Sequence, residues 1–140
     1  MSIKKLRAGG LVINNKSEIL LIYRKGKWDL PKGKVEKKEK NSLGAMRETS
    51  EETGLRVNEL RIKKSLIITT HLLRGKQVKT KWYLLKYKGI NNKLKPQKKE
   101  GIKTCKWVHE ASLIYYIPHL RNYARDVFDF YFSEIRNLAS

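Results

Sequence analysis

The chain has 140 residues, 40% of them hydrophobic, and a formal charge of +19, so it is long enough to bury the core of one domain. No apolar run approaches the roughly 20 residues of a membrane span, no hydrophobic signal segment opens the sequence, and the single cysteine cannot form an internal disulfide. We therefore expect one domain over residues 1–140 in a soluble, cytoplasmic protein, and neither a membrane protein nor a disulfide scaffold.

The positive charge has two explanations that the sequence leaves open. A basic surface attracts polyanions such as nucleotides and RNA. However, lysine, asparagine and isoleucine recur throughout the chain and the lysines are scattered, as in proteins from genomes poor in G and C. In either case the electric field favours the approach of an anionic substrate. The oligomeric state is not predicted.

A β-hairpin is predicted near the start of the chain. Apolar residues dominate Leu6–Asn14 and Glu18–Arg24, and a polar turn joins the two segments. Gly10 interrupts the first strand, which indicates that another group approaches its backbone closely, with a ligand as one candidate. Arg24 then begins a basic loop that leads to Trp28.

A helix is predicted from about Ser42 to Thr53, after a charged loop over residues 34–41. Gly54 follows the helix at the position of a left-handed C-terminal cap. The face that packs on the core is predicted to comprise Leu43, Met46, Ser50 and Thr53, with Ala45 and Thr49 beside it.

Three carboxylates share the other face of this helix. Glu48, Glu51 and Glu52 are three and four residues apart, so they occupy about one third of the helix circumference. Like charges at this spacing repel one another, and a divalent cation relieves the repulsion. Because the ligands are hard oxygens, magnesium is expected, with manganese as the alternative.

The second half of the chain predicts a β-rich region followed by a helix. Two long strands, Leu60–Leu73 and Val78–Tyr87, are joined by a short turn. The polar segment Lys88–Gly101 is predicted to be a surface loop, and Ile102–Val108 another strand. Apolar side chains recur at near-helical spacing within Pro118–Ile135, which predicts a C-terminal helix that starts at the proline.

Zinc and nucleophilic chemistries have no support in the sequence. His109 and His119 have no companions at metal-ligand spacing. Cys105 lies in a predicted strand without a base nearby in the chain, so a buried structural thiol is expected there.

Residues 33–55 resemble the signature of the Nudix hydrolases, which reads Gly, five residues, Glu, seven residues, and then Arg-Glu-U-x-Glu-Glu-x-Gly-U, with U apolar. The matching residues are Gly33, Glu39, Arg47, Glu48, Thr49, Glu51, Glu52, Gly54 and Leu55. Thr49 departs from the pattern, because an aliphatic residue is usual at its position. The resemblance implies an α/β fold, a Nudix-type α/β/α sandwich with a mixed β-sheet, one catalytic loop-helix-loop and a C-terminal helix. The order of predicted elements agrees with it.

The resemblance also implies an activity, the magnesium-dependent hydrolysis of a pyrophosphate link in a nucleoside diphosphate joined to another group. It implies that Glu52 is the base that activates water. From its position on the helix, Arg47 is placed to reach either Glu51, one turn on, or Glu39 in the loop, and either contact would fix the carboxylates. The resemblance assigns the metal to Glu48, Glu51, Glu52 and the backbone carbonyl of Lys32. Some family members use a glutamate from a later loop as the base, and the only carboxylate in that loop here is Glu100.

The substrate is the least constrained part of the prediction. The run from Trp28 to Gly33 is similar to that of the diadenosine polyphosphate hydrolases and diphosphoinositol phosphatases. Trp28 is predicted either to stack on a base or to cap the core, and Arg24 is a candidate substrate contact in the basic loop. His71 occupies a position where ADP-ribose hydrolases tend to carry proline, and it either lines the phosphate site with the basic residues after it or is structural.

Three functions follow from this reading. The first is hydrolysis of a dinucleoside polyphosphate or another small nucleotide. The second places the same chemistry at the triphosphate end of RNA, because the charge is +19. The third is a catalytically silent module that binds a nucleotide or RNA, against which the intact carboxylate motif argues.

Overall fold

The computed structural model describes residues 6–136. In chain order its strands and α-helices are β1 (Arg7–Ile13), β2 (Glu18–Arg24), β3 (Lys27–Asp29), β4 (Lys32–Lys34), α1 (Asn41–Thr53), β5 (Leu60–Leu73), β6 (Lys76–Tyr87), β7 (Ile102–His109) and α2 (Asn122–Phe130). No helix within the described residues is both long and apolar enough to cross a membrane.

The strands form one mixed sheet in the order β3-β2-β1-β6-β5, with β4 paired to β1 and β7 paired to β2. The β1 and β6 strands run parallel, whereas the other pairs are antiparallel. Beside their turn, β1 and β2 pair at Ile13 and Ile19, as the predicted hairpin requires. Away from this turn, β1 pairs with β4 and β2 pairs with β3. The two strands therefore separate, and their ends at Arg7 and Arg24 lie on either side of the β3–β4 connection.

Both faces of the sheet are covered, because successive strand residues point to opposite faces. Val12 and Leu20 face α1 together with Met46, Leu55, Leu60, Leu85 and Tyr87. Leu11, Ile19 and Leu21 belong to the larger core on the α2 side, which includes Trp82, Tyr123, Val127 and Phe128. This is the predicted α/β/α sandwich.

The C-terminal helix does not start at the proline. Pro118 lies in a short 3₁₀ turn, Ile117–His119, and α2 begins at Asn122. Leu120 and Arg121 are extended, because Leu120 forms a parallel bridge with Trp28 and the Arg121 N–H donates to the Trp28 carbonyl oxygen at 3.0 Å. This tertiary pairing with β3 delays the helix.

The packed face of α1 also differs from the prediction. Leu43 is 49% exposed, whereas Thr49 is buried and its hydroxyl donates to the Ala45 carbonyl oxygen at 2.8 Å. A Cβ on Gly10 would lie 2.7 Å from a Leu85 methyl and 3.1 Å from the Thr49 hydroxyl. The close approach at Gly10 is therefore by the α1 helix and the β6 side chains, and not by a ligand.

Candidate active site

β4 and α1 meet so closely that a side chain at Gly33 would displace the Glu48 carboxylate from its position. A Cβ built on Gly33 would lie 2.1 Å from the carboxyl carbon of Glu48. One residue earlier, the Lys32 N–H donates to Glu52 Oε1 at 3.2 Å. The backbone of β4 is thus pressed directly against two of the predicted metal ligands.

A cavity of about 350 Å³ opens beside these contacts, and we refer to it as the carboxylate cavity. Its lining comprises three carboxylates, four cationic side chains and a glycine: Glu48, Glu52, Glu100, Arg7, Arg24, Lys32, Lys34 and Gly33. This mixture suits a phosphorylated substrate, whose oxygens need positive partners while the carboxylates handle metal and protons.

Burial raises the pKa of two carboxyl groups in this cavity, Glu48 and Glu52. Glu52 is 3% exposed, and burial raises its pKa to about 8; the charge of Lys32 opposes this shift and that of Glu48 adds to it. Burial also raises the pKa of Glu48, against the effect of Arg47. The sequence predicts these carboxylates on the face of α1 opposite the packed one, and the structure nevertheless buries Glu52.

The donor set suits a hard divalent cation. Two carboxylates crowded over a glycine gain from a cation that offsets both desolvation and mutual repulsion. Within residues 6–136, however, no three carboxylate, imidazole or thiolate groups already converge as a metal cluster. Glu51 explains this, because its carboxylate is 53% exposed and points to Arg47.

Arg47 is the centre of the loop-helix-loop. Its guanidinium donates to both carboxylate oxygens of Glu39 at 2.8 and 3.1 Å, and to one oxygen each of Glu48 and Glu51 at 3.0 Å. It also donates to the Lys34 carbonyl oxygen at 2.9 Å. Hydrogen bonds to Glu39 and Glu51 raise the pKa of Arg47 further above its ordinary value. The sequence suggested Glu39 or Glu51 as the partner, and the structure contains both contacts.

The later loop brings Glu100 to the site. The Lys95 N–H donates to the Thr53 carbonyl oxygen at 2.8 Å, and the Gln97 N–H to that of Glu52 at 3.1 Å. These bonds attach the loop to the end of α1, and Glu100 therefore lines the carboxylate cavity. Its charge contributes to the raised pKa of Glu48.

Cys105 is half-buried, with its Sγ 3.7 Å from the Glu52 carbonyl oxygen. Burial raises the pKa of its thiol to about 12, so it stays protonated and is unsuited to act as a nucleophile.

Trp28 is partly buried and packs against the core on the α2 side, and stacking on a base stays a prediction. Its ring packs edge-to-face against Tyr23 at 5.0 Å and Tyr116 at 5.3 Å, between centroids. It does not line the carboxylate cavity.

The structure separates the other predicted substrate contacts. Arg24 lines the carboxylate cavity, whereas His71 lines a smaller cavity next to it. The His71 ring stacks on Tyr123 at 4.6 Å, and burial together with the charges of Lys32 and Arg7 lowers its pKa. The basic residues that follow His71 in the sequence, Arg74 and Lys76, lie exposed at the β5–β6 turn and do not line this smaller cavity.

A buried network was missed by sequence reasoning. Lys32 Nζ lies 3.1 Å from Asp29 Oδ2, with the side chains 4% and 0% exposed. The Tyr123 hydroxyl donates to the same Asp29 oxygen, and Lys32 Nζ lies 5.0 Å from the centre of the Tyr123 ring. Tyr123 was read as part of an apolar stripe, and nothing in the spacing of Asp29 and Lys32 indicated this partner. The network attaches α2 to the β3–β4 connection.

Comparisons with known proteins agree with this geometry. The NUDIX domain model matches residues 4–130. An Ap4A hydrolase binary complex from C. elegans superposes with a TM-score of 0.77 at 22% identity, covering 97% of this chain and 98% of that one. A MutT protein from Methanosarcina mazei Go1 gives 0.75 at 26% identity, over 96% and 99% of the two chains.

A bifunctional NMN adenylyltransferase/ADP ribose pyrophosphatase from Francisella tularensis, in complex with AMP and a manganese ion, gives a TM-score of 0.75 at 18% identity. That match covers 96% of this chain and 42% of the other. At these identities the structural matches establish the fold, while the domain model spans nearly the whole chain. The chain therefore belongs to the Nudix family of pyrophosphohydrolases.

Proposed function

We propose that residues 1–140 form a single cytoplasmic Nudix domain that uses Mg²⁺, with Mn²⁺ as an alternative, to hydrolyse a pyrophosphate link in a dinucleoside polyphosphate or another small nucleotide. The observation that supports this best is the carboxylate cavity, where Glu48, Glu52 and Glu100 face Arg7, Arg24 and Lys32. The C. elegans Ap4A hydrolase and the Francisella ADP ribose pyrophosphatase share the fold and act on substrates of this chemical class.

The metal would be held by Glu48, Glu51, Glu52 and the Lys32 carbonyl. Gly33 supports this assignment, because the absence of a Cβ lets the Glu48 carboxylate lie against the β4 backbone. The hydrogen bond from Lys32 to Glu52 supports it too, since it holds that backbone against the carboxylate. Glu51 would join these ligands by giving up its hydrogen bond to Arg47 for a contact with the metal. A bound cation of this kind supplies charge neutralisation on phosphate and a lower pKa for water.

The chain's own residues have separate tasks. Arg7 and Arg24 offset the charge of the phosphate groups. Glu52 accepts a proton from the attacking water, since its carboxylate lines the carboxylate cavity beside the metal ligands. Arg47 is a positioning residue that holds the glutamates in place. Glu100 is the alternative base, since it lines the same cavity.

The proposal is tested by measuring phosphate or nucleotide release from diadenosine tetraphosphate, ADP-ribose and nucleoside triphosphates, with and without magnesium. We expect metal-dependent release from diadenosine tetraphosphate. If only nucleoside triphosphates turn over, the enzyme cleans the nucleotide pool instead. If no substrate gives metal-dependent release, the chain is a silent binding module.

The charge of +19 favours a second candidate, a pyrophosphohydrolase of RNA 5′ ends. A short triphosphorylated RNA assayed beside diadenosine tetraphosphate separates the two. Faster turnover of the RNA, at equal magnesium and salt, would replace the first proposal with the second.

A further inference from the structure

A second cavity of about 150 Å³ adjoins the carboxylate cavity, and we refer to it as the basic annex. The two cavities share Arg7, Arg24 and Lys32 in their linings, so they are continuous along one wall. The annex adds four polar side chains of its own, from the β2–β3 turn, the end of β5 and the start of α2: Lys25, His71, Arg121 and Tyr123.

The annex has the charge of an anion site. Five cationic side chains line it, and no carboxylate is among the described residues of its lining. Asp29, which is buried behind Lys32, is already paired with the Lys32 ammonium and accepts a hydrogen bond from the Tyr123 hydroxyl. Positive charge therefore remains uncompensated at the annex, unlike in the carboxylate cavity.

Two side chains that line the annex each have a buried nitrogen with no hydrogen-bond partner among residues 6–136. These are Arg24 Nε and His71 Nδ1. Leaving a buried donor unsatisfied is costly, and most such atoms in folded proteins have a partner. Phosphate oxygens are acceptors for both, since a neutral imidazole donates from one nitrogen.

The third member of the site is held in place before any ligand arrives. The Arg121 side chain donates to the Arg24 carbonyl oxygen at 3.1 Å, and its N–H donates to the Trp28 carbonyl oxygen at 3.0 Å. A fixed guanidinium loses little conformational entropy on binding and presents further donors to a phosphate.

We propose that the basic annex binds a phosphoryl group beyond the two that form the cleaved link, so that the enzyme selects chains of three or more phosphates. This rests on the proposed function, which puts the cleaved link in the carboxylate cavity. The annex has room for a group of phosphate size, and its lining is rich in cationic side chains that donate to phosphate oxygens. ADP-ribose, with two phosphates, leaves the annex without a ligand.

The kinetic test uses Arg121→Gln, with Arg56→Gln as a matched control. Arg56 is exposed, lines a different cavity and loses the same charge on substitution. We expect kcat/KM for diadenosine tetraphosphate to fall about tenfold to a hundredfold in Arg121→Gln, as for a lost hydrogen bond to a charged group. The value for ADP-ribose should stay within about twofold. Equal losses on both substrates, or the same small loss as in Arg56→Gln, would overturn the proposal.

A binding test separates this proposal from the proposed function. Inorganic triphosphate is titrated by calorimetry, with a chelator present, into the parent, Arg24→Gln, Arg121→Gln and Arg56→Gln. We expect about tenfold weaker binding in the first two variants and parental binding in Arg56→Gln. Equal weakening in all three would mean that net charge alone attracts the anion, and would refute the annex. Annex-dependent binding in a protein that hydrolyses nothing would keep the annex and refute the hydrolase. Melting temperatures confirm that each variant is folded.

Discussion

On the α1 side of the site, Arg47 pairs with four partly exposed glutamates, Glu36, Glu39, Glu48 and Glu51, whereas on the α2 side Asp29, Lys32 and Tyr123 form a network shielded from solvent. Partly exposed ion pairs contribute little to stability and exchange partners readily. Removing one partner of a buried ion pair, in contrast, strongly destabilises the fold. We infer that the α1 side is adjustable, as metal and proton chemistry require, and that the α2 side is a fixed wall.

The largest expected effect is on stability, from Asp29→Asn on the α2 side. It leaves the Lys32 ammonium buried without a counterion, and we expect a loss of about 3–5 kcal/mol in the free energy of unfolding. The measurement is chemical denaturation, followed by circular dichroism.

The double substitution Asp29→Asn with Lys32→Met is the control, because it removes both charges together. It should recover most of the loss. If Asp29→Asn alone unfolds like the parent, the buried pair is not structural and the comparison between the two sides fails.

On the α1 side we expect the reverse outcome, a loss of activity with little loss of stability. Glu52→Gln keeps the size of the side chain but removes the charge that holds metal or accepts a proton. Turnover should fall on the order of a hundredfold or more, since general base catalysis contributes about 10²–10⁴. The measurement is kcat with saturating magnesium.

Glu100→Gln is the matched variant, because Glu100 lines the same cavity from the later loop. Near-parental turnover in Glu52→Gln, together with a collapse in Glu100→Gln, would move the base to the loop.

A smaller effect is expected from Tyr123→Phe, which removes one hydrogen bond to Asp29 and leaves the Lys32 contact intact. The expected loss is about 1–2 kcal/mol, because the bond is buried and its acceptor is charged. Tyr115→Phe, at a 77% exposed tyrosine, should have no effect on the same denaturation curve. Equal curves for both variants would show that the hydroxyl of Tyr123 adds nothing to the wall.

Local patterns predicted the α1 side well and the α2 side poorly. The spacing of Glu48, Glu51 and Glu52 located the helix, and Gly54 caps it in the left-handed conformation as expected. Those signals are local, because a few consecutive residues decide the geometry. Tyr123 and Asp29 are 94 residues apart in the chain, and only the pairing of the Leu120–Arg121 segment with Trp28 brings them together. No periodicity in either segment indicates such a contact.

The face of α1 shows the same limit on a smaller scale. The pattern favoured Leu43 as a packed residue, yet the helix turns Thr49 toward Gly10 and leaves Leu43 half exposed. The packed face of α1 depends on Gly10 of β1, which has no side chain and lies far from α1 in the sequence.

The smallest expected effect is the pH dependence contributed by His71, which stacks on the wall at Tyr123. Burial lowers its pKa from the ordinary value of 6.5, with Lys32 and Arg7 adding to the shift, Asp29 opposing it and Arg121 adding slightly. As the pH falls below 6.5, His71 binds a proton in the unfolded chain more readily than in the folded protein. The free energy of unfolding therefore decreases until the pH has passed below the pKa of folded His71. His71→Gln should therefore lose less free energy of unfolding than the parent between about pH 7 and pH 5, near the ordinary pKa of histidine.

His119→Gln, at an exposed histidine, should follow the parent. Denaturation curves at a series of pH values decide this, and parallel profiles for the parent and His71→Gln would mean that protonation of His71 is not resisted by the wall.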